Sequence, residues 1–425
     1  MSISVALIAW YFPPVGGAGA QRPLHFARGL SSSGVSVRVL TPARHHESMW
    51  APEDQDLAAD SKGIDVRYLG IDQHDRSSGP AGSFEKAVLA NLNDDRPDFA
   101  VVTLSPFALA NLAVPIQKLG IKFVLDLRDP WALDAWPGYR SWWHWRRSFK
   151  KMRSRMLQAD GILLNTQDAK KAFLHAIPGL AKKPLRVIEN GWCREDFQFS
   201  DGEREHEDIG GRSPLRIVHS GTFHTQREAE KRSFKSWVGA KLAYSPQELD
   251  RTGRGPSHLL AAVRDLIEED HNLECDFFGV QQDAVVKEVE AFGLGERVRI
   301  RGYRSHGDSI RGIREAGALF LPLGGIPAGG RSLIVPGKTY EYLAAGPPLI
   351  AALPAGDARD LVSRSRRSFL ADPCDHGSIK NAILQCLEWW KSDMSRRREI
   401  EPFMDGFERR AQAAVLKRFL CSIRD

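Results

Sequence analysis

The spacing of short apolar runs constrains this chain more than any other feature of its sequence. Ile3–Ala9, Val35–Thr41, Phe99–Leu104, Lys122–Leu127, Gly161–Asn165 and Leu185–Glu189 are strand-length, bounded by turn or polar residues, and separated by stretches long enough for helices such as Arg22–Leu30. A second series runs through Leu215–His219, Leu273–Phe278, Val298–Gly302, Ala318–Leu321, Leu349–Ala352 and Ser368–Ala371. Apolar strands of this kind belong to parallel sheets covered on both faces. The alternation therefore predicts an α/β protein with two doubly wound, Rossmann-like sheets. At 425 residues the chain is too long for one ordinary core. We place a first domain at 1–197, a polar linker at 198–213, a second domain at 214–390, and a helical tail at 391–425 expected to pack across the domains. Ligands of open parallel sheets sit beyond the carboxyl ends of the strands, which puts the expected site in a cleft between the domains.

Two segments carry candidate chemistry. In Pro336-Gly-Lys338-Thr-Tyr-Glu341-Tyr-Leu-Ala-Ala-Gly346, one lysine and one glutamate lie three apart at the start of a short helical run. They share a helix face at an N-terminus, where free backbone N–H groups suit phosphate. Lys338 would meet a diphosphate and Glu341 would accept hydrogen bonds from ribose hydroxyls; the alternative is an ordinary surface pair. Near the N-terminus, Tyr11-Phe-Pro-Pro-Val-Gly16-Gly17-Ala-Gly19-Ala-Gln21-Arg22 is a glycine-rich turn that lets backbone approach a ligand closely. It does not fit a dinucleotide fingerprint, because Arg22 stands where the third glycine belongs and the second strand ends in Leu40-Thr-Pro without an acidic residue. The alternative to a ligand-binding loop is a tight strand-to-helix turn with no ligand.

These motifs, with Asp126-x-Arg128-Asp129-Pro-Trp131, Ala159-Asp160-Gly161-Ile-x-x-Asn165-Thr and Ile188-Glu-Asn190-Gly191, resemble the N-terminal domain of the family 4 glycosyltransferases. His219-Ser-Gly221-Thr, Phe277-Phe-Gly279, Arg301-Gly302-Tyr303 and His306 resemble that family's nucleotide-sugar domain, in the right order along nearly the whole chain. The resemblance implies a GT-B fold and retaining transfer from a nucleoside diphosphate sugar, without a metal or other cofactor. It also implies an acceptor on the side of the first domain, with Arg22, Arg128 and Trp131 as acceptor-side candidates. The donor set is Gly16, Gly17, Gly19, Gly221, Tyr303, Arg304, Ser332, Lys338 and Glu341, with the backbone around Tyr303 and Arg304 against the base. Charge builds on the leaving diphosphate, so Lys338 and Arg254 are the candidate catalytic cations. Asp129 would orient a hydroxyl or act as base, or else pair structurally with Arg128.

Three departures from the family pattern stand in the sequence. Position 333 is Leu, where relatives often carry a donor-sugar glutamate. His224 to Gly253 reads as an insertion, which leaves Arg227 and Lys231 as rivals to Arg254 for the diphosphate. The first-domain loop offers Asp129 where many relatives have a histidine. Two alternatives stand beside the transferase: a nucleotide-sugar epimerase of the same fold, and, in a different class, a non-catalytic sugar-nucleotide-binding partner of another transferase, which the leucine at 333 favours.

The stretch 136–155 sets tryptophans beside a basic helix, a composition suited to peripheral contact with an anionic membrane, to an acceptor pocket, or to packing on the sheet. Expected partners are the nucleotide sugar and a glycan, lipid-linked or small-molecule acceptor. With 59 basic and 53 acidic residues the net charge is +6, too mild to imply nucleic-acid binding. Five scattered cysteines with no paired spacing, and an N-terminus lacking a basic leader, predict a cytoplasmic protein. His45, His46 and His74 lack metal-ligand spacing.

Overall fold

The computed structural model describes residues 3–43, 52–71, 79–136, 138–198, 213–224, 243–392 and 399–424. The histidines 45, 46 and 74, almost all of the expected linker, and Arg227 and Lys231 lie outside the described residues. The chain forms two compact units, Met1–Gly191 with Gly406–Asp425, and Trp192–Asp405.

The first unit is built on strands β1 (Ser4–Ala9), β2 (Ser36–Pro42), β3 (Asp65–Leu69), β4 (Phe99–Leu104), β5 (Lys122–Leu127), β6 (Gly161–Leu164) and β7 (Leu185–Val187). They are all parallel, in the order β3-β2-β1-β4-β5-β6-β7. The chain reverses its direction of sheet growth between β1 and β4, the switch point where doubly wound sheets hold ligands. Strand β4 is buried along its whole length, as its apolar run requires. β3 escapes the sequence reading for the opposite reason. It is an edge strand, Asp-Val-Arg-Tyr-Leu, none of whose residues is buried, and short polar edges are how sheets avoid further pairing.

The second unit repeats the plan with β8 (Leu215–Ser220), β9 (Leu273–Phe278), β10 (Val298–Gly302), β11 (Ala318–Pro322), β12 (Leu349–Ala352) and β13 (Ser368–Ala371). Its order is β10-β9-β8-β11-β12-β13, again all parallel, with the switch between β8 and β11. The helices Ser257–Glu268 and His376–Ser392 cover one face, their Leu260, Val263, Ile379 and Ile383 joining a core with Phe277 and Phe320.

The expected tail is divided: it stays with the second unit as far as Asp405 and joins the first from Gly406 onward. Trp390, the last residue of the expected second domain, is buried in the second unit, its Nε1 donating to the Gly317 carbonyl at 2.7 Å. The helix Arg409–Ser422 instead packs along Ala18–Ser32 in the first unit, close enough that a β-carbon on Gly29 would collide with that of Ala413. Leu416, Phe419 and Leu420 supply its apolar stripe. Buried Arg409 reinforces the join, with Nη1 at 2.8 Å from His25 Nε2 and Nη2 donating to Gln21 Oε1 at 2.5 Å.

Candidate active site

In the second unit the carboxyl ends of three neighbouring strands each terminate in a glycine of positive φ: Gly221 after β8 (122°), Gly279 after β9 (99°) and Gly302 at the end of β10 (69°). Only glycine takes such backbone without strain. Gly221 N donates to the Phe278 carbonyl at 2.9 Å and Gly279 N to the Gly302 carbonyl at 2.7 Å. Gln281 completes the lacing, with Nε2 donating to the Gly221 carbonyl at 2.8 Å and Oε1 accepting from Phe223 N at 3.0 Å. The result is a low rim of main chain above the sheet.

Lys338 is brought to this rim from the other side of the switch point. It opens the helix Lys338–Ala345, with Glu341 in the first turn. Its ammonium lies against Gly221, where any β-carbon would collide with Nζ. His219, the fifth residue of β8, supports it from beneath. The imidazole is buried and stacked on Phe223, ring centroids 4.0 Å apart. Its Nδ1 lies 3.0 Å from the Phe320 carbonyl, which only accepts, so Nδ1 carries the proton. The Nε2 lone pair is thereby left facing Lys338 Nζ at 3.4 Å.

Electrostatics follow from this crowding. Burial, with the Arg254 guanidinium close by, pushes the Lys338 ammonium down to about 7, partly offset by Glu341. Burial and the Lys338 charge hold His219 well below the ordinary histidine range. Burial, then Arg254 and Lys338, bring His224 down to about 4. Two cations and two neutral imidazoles thus share one recess, an arrangement whose cost an anion would relieve. Both histidines are neutral in the folded protein but protonate in the unfolded chain near pH 6.5, so their contribution to folding stability is fully present above that value and is lost as pH falls. We expect the melting temperature to decline between pH 7 and 5. A His219→Gln, His224→Gln variant, followed by circular dichroism, should show a flatter profile; an equal decline would remove these two groups as its cause.

Of the other second-unit candidates, Arg254 belongs to the same group of charges as Lys338, while Tyr303, Arg304 and Ser332 are held by contacts of their own. Arg254 ends a short turn, and its carbonyl accepts from His224 N at 3.2 Å. Tyr303 is 38 % exposed directly after β10, and the Arg304 guanidinium lies over the Phe278 ring at 4.9 Å. Ser332 is buried and held by a backbone bridge to Gly356, its N donating to the Ala355 carbonyl at 2.7 Å. Tyr342, one residue beyond Glu341, is a positioning neighbour of the Lys338 helix that sequence reasoning missed. Its buried hydroxyl accepts from Ser220 N at 2.7 Å and pins the helix to the end of β8.

The first-unit candidates form a separate group. Gly17, with φ 84°, caps the helix Ala18–Ser32, so Gly19 and Arg22 lie inside the helix and not in the turn before it. Gly16 N donates to the Pro52 carbonyl at 2.7 Å. A β-carbon on Gly19 would come within 3.3 Å of the Tyr11 ring and 3.4 Å of Arg128 Nη1. Arg22 is only 6 % exposed. Its Nη2 donates to Asp126 Oδ1 at 2.8 Å, and its Nη1 to the Glu189 carbonyl at 3.2 Å. Asp126 also accepts from Thr103 Oγ1 at 3.1 Å. Trp131 is buried too, with φ 46°, its ring stacked on Phe107 at a centroid distance of 4.9 Å. Arg22 and Trp131 are thus engaged within the unit. Asp129 remains half exposed, 3.8 Å from Arg128 Nη2.

Two family models cover the chain in sequence order, Glycosyltransferase Family 4 over residues 16–192 and Glycosyl transferases group 1 over 226–401. The chain is a GT-B glycosyltransferase of the family 4 type. Solved structures share its fold across essentially the full length. The Anabaena protein HepE, determined in complex with UDP and glucose, is 15 % identical with a TM-score of 0.67, covering 99 % of this chain and 100 % of its own. A sucrose-phosphate synthase from Thermosynechococcus elongatus is 15 % identical with a TM-score of 0.69, covering 99 % of both chains. A putative UDP-N-acetylglucosamine 2-epimerase from Listeria monocytogenes is 14 % identical with a TM-score of 0.59, covering 99 % of this chain and 96 % of its own. No curated protein matches the sequence. Among the described residues of this glycosyltransferase, no group of three or more His, Cys, Asp or Glu is arranged to hold a metal ion, and no helix is long and apolar enough to cross a membrane.

Proposed function

We propose that this glycosyltransferase moves a hexosyl group from a nucleoside diphosphate sugar to an acceptor hydroxyl with retention of anomeric configuration and without a metal. The pathway would be polysaccharide, glycolipid or natural-product glycoside biosynthesis. The observation that carries the reading is the Lys338 ammonium held against Gly221, with Arg254 beside it and Glu341 in the same first turn. As the sugar–phosphate bond breaks, negative charge gathers on the departing diphosphate. Fixed cations and backbone N–H groups aimed at that charge supply the main stabilisation. The glycine rim lets a phosphate approach the main chain and the Lys338 ammonium closely, and Glu341 has the chemistry to accept from ribose hydroxyls. Asp129, with its exposed carboxylate, is assigned to orienting the acceptor hydroxyl.

The acceptor is a glycan, a lipid-linked molecule or a small molecule, and we assign the protein to the cytoplasm, in keeping with its five free thiols. HepE's complex with UDP and glucose makes UDP-glucose the first donor to test. A ligand that binds only the folded state raises the melting temperature by mass action. Uridine, guanosine, deoxythymidine and adenosine diphosphate sugars should therefore be screened by thermal shift, with one or more expected to stabilise the protein by several degrees. If none does, the donor site is misassigned. Donor turnover that needs an added acceptor supports a transferase; epimerised donor without acceptor supports the epimerase alternative, and binding without turnover a silent partner.

A further inference from the structure

The helix Trp142–Gln158 in the first unit divides its aromatic residues between two jobs. Trp145, Phe149, Met152 and Met156 recur at helical spacing on the inward face. Met152 and Met156 are buried, Trp145 Nε1 donates to the Ala132 carbonyl at 2.8 Å, and Trp145 packs on Phe149 with centroids 5.4 Å apart. The helix is therefore fully anchored without Trp142 and Trp143. Those two lie outside, 37 % and 72 % exposed, edge-to-face at 4.7 Å.

The same outer face is basic throughout. Arg146, Arg147, Lys150, Lys151 and Arg153 are all exposed, and no Asp or Glu occurs anywhere from 138 to 158. Arg146 lies over the Trp142 ring at 5.0 Å, which joins the aromatic and cationic parts of the surface. Of the carboxylates on packed elements, Glu85 feels Lys151 and Arg155, but burial pushes its carboxyl up and Asn111 Nδ2 donates to it at 3.4 Å. It does not neutralise the outer face.

We propose that this face docks the protein peripherally on an anionic lipid bilayer, with Trp143 entering the headgroup region and the basic rows meeting lipid phosphates. Indole rings partition into the membrane interface, and each lysine or arginine near an anionic surface strengthens binding about fivefold. A small acidic partner would satisfy the charge but not the exposed tryptophans; a zwitterionic bilayer would satisfy the tryptophans but not the charge. The inference rests on this helix and is independent of the donor reading. A sugar-nucleotide melting shift on the same sample separates failure of one from failure of the other.

The test is sedimentation of the full-length protein with phosphatidylcholine vesicles and with vesicles also containing phosphatidylglycerol. We expect at least about tenfold stronger partition onto the anionic vesicles, weakening as salt is raised. Arg147→Glu with Lys150→Glu should abolish that preference, and Trp143→Ser should weaken binding several-fold on anionic vesicles. All three residues are exposed, so the variants should keep the wild-type melting temperature. Equal partition onto both vesicles, or undiminished binding by the charge-reversed variant, would overturn the proposal. Binding to single-stranded DNA with none to anionic vesicles would overturn it equally.

Discussion

Replacing Lys338 with alanine should lower donor turnover by about a hundred- to a thousandfold, the usual cost of losing one preorganised group that stabilises developing negative charge. The variant should fold, and more stably than the wild type. A buried ammonium pushed down to about 7 is disfavoured in the empty recess, and removing it removes that strain. The same displacement sets a pH signature. In the free enzyme the ammonium loses its proton as pH rises through about 7, whereas a bound diphosphate favours the charged form. Nucleotide binding should therefore take up a proton, and affinity should fall as pH rises from 7 to 9. Isothermal titration of a nucleoside diphosphate at several pH values would show the slope in the wild type and its absence in the alanine variant. Equal affinity and turnover in the two proteins would remove Lys338 from the site.

The second large effect concerns stability. Breaking the Arg22–Asp126 pair by Asp126→Ala should destabilise the first unit by about 3–5 kcal/mol, because the remaining guanidinium is buried without its counter-charge. Asp126 is fully buried, and Arg22 also ties the Glu189 carbonyl two residues beyond β7. The companion variant Arg22→Met, Asp126→Leu removes both charges and should recover much of the loss. Urea denaturation distinguishes the outcomes. A double variant no better than Asp126→Ala would mean that the lost hydrogen bonds to Thr103 and Glu189, and not the orphaned charge, set the cost.

Sequence alone reaches the strands of both sheets because parallel strands covered on two faces must be nearly continuous apolar runs. It misses β3 because an exposed edge carries no such pattern. Lys338 and Glu341 are legible because their relation is local, three residues on one helix. His219 is legible only as part of a family motif; its support of Lys338 is not, for its partners Phe320 and Lys338 are 101 and 119 residues away and only the sheet order joins them. Arg22 shows the opposite limit. The family resemblance makes it an acceptor-side candidate, yet its interaction with Asp126, 104 residues on, takes its guanidinium into the interior.

The return of the final helix to the first unit has a consequence for how the protein is made. The second unit, ending at Asp405, is complete in the chain before Gly406–Asp425 is translated. On a ribosome that produces residues in order, the first unit begins earlier but waits for the last, its Gly29 groove open until Ala413 arrives. Domains usually fold as their chains emerge; here the later unit can finish first, and nascent chains stopped short of the last helix leave the earlier unit exposed to chaperones.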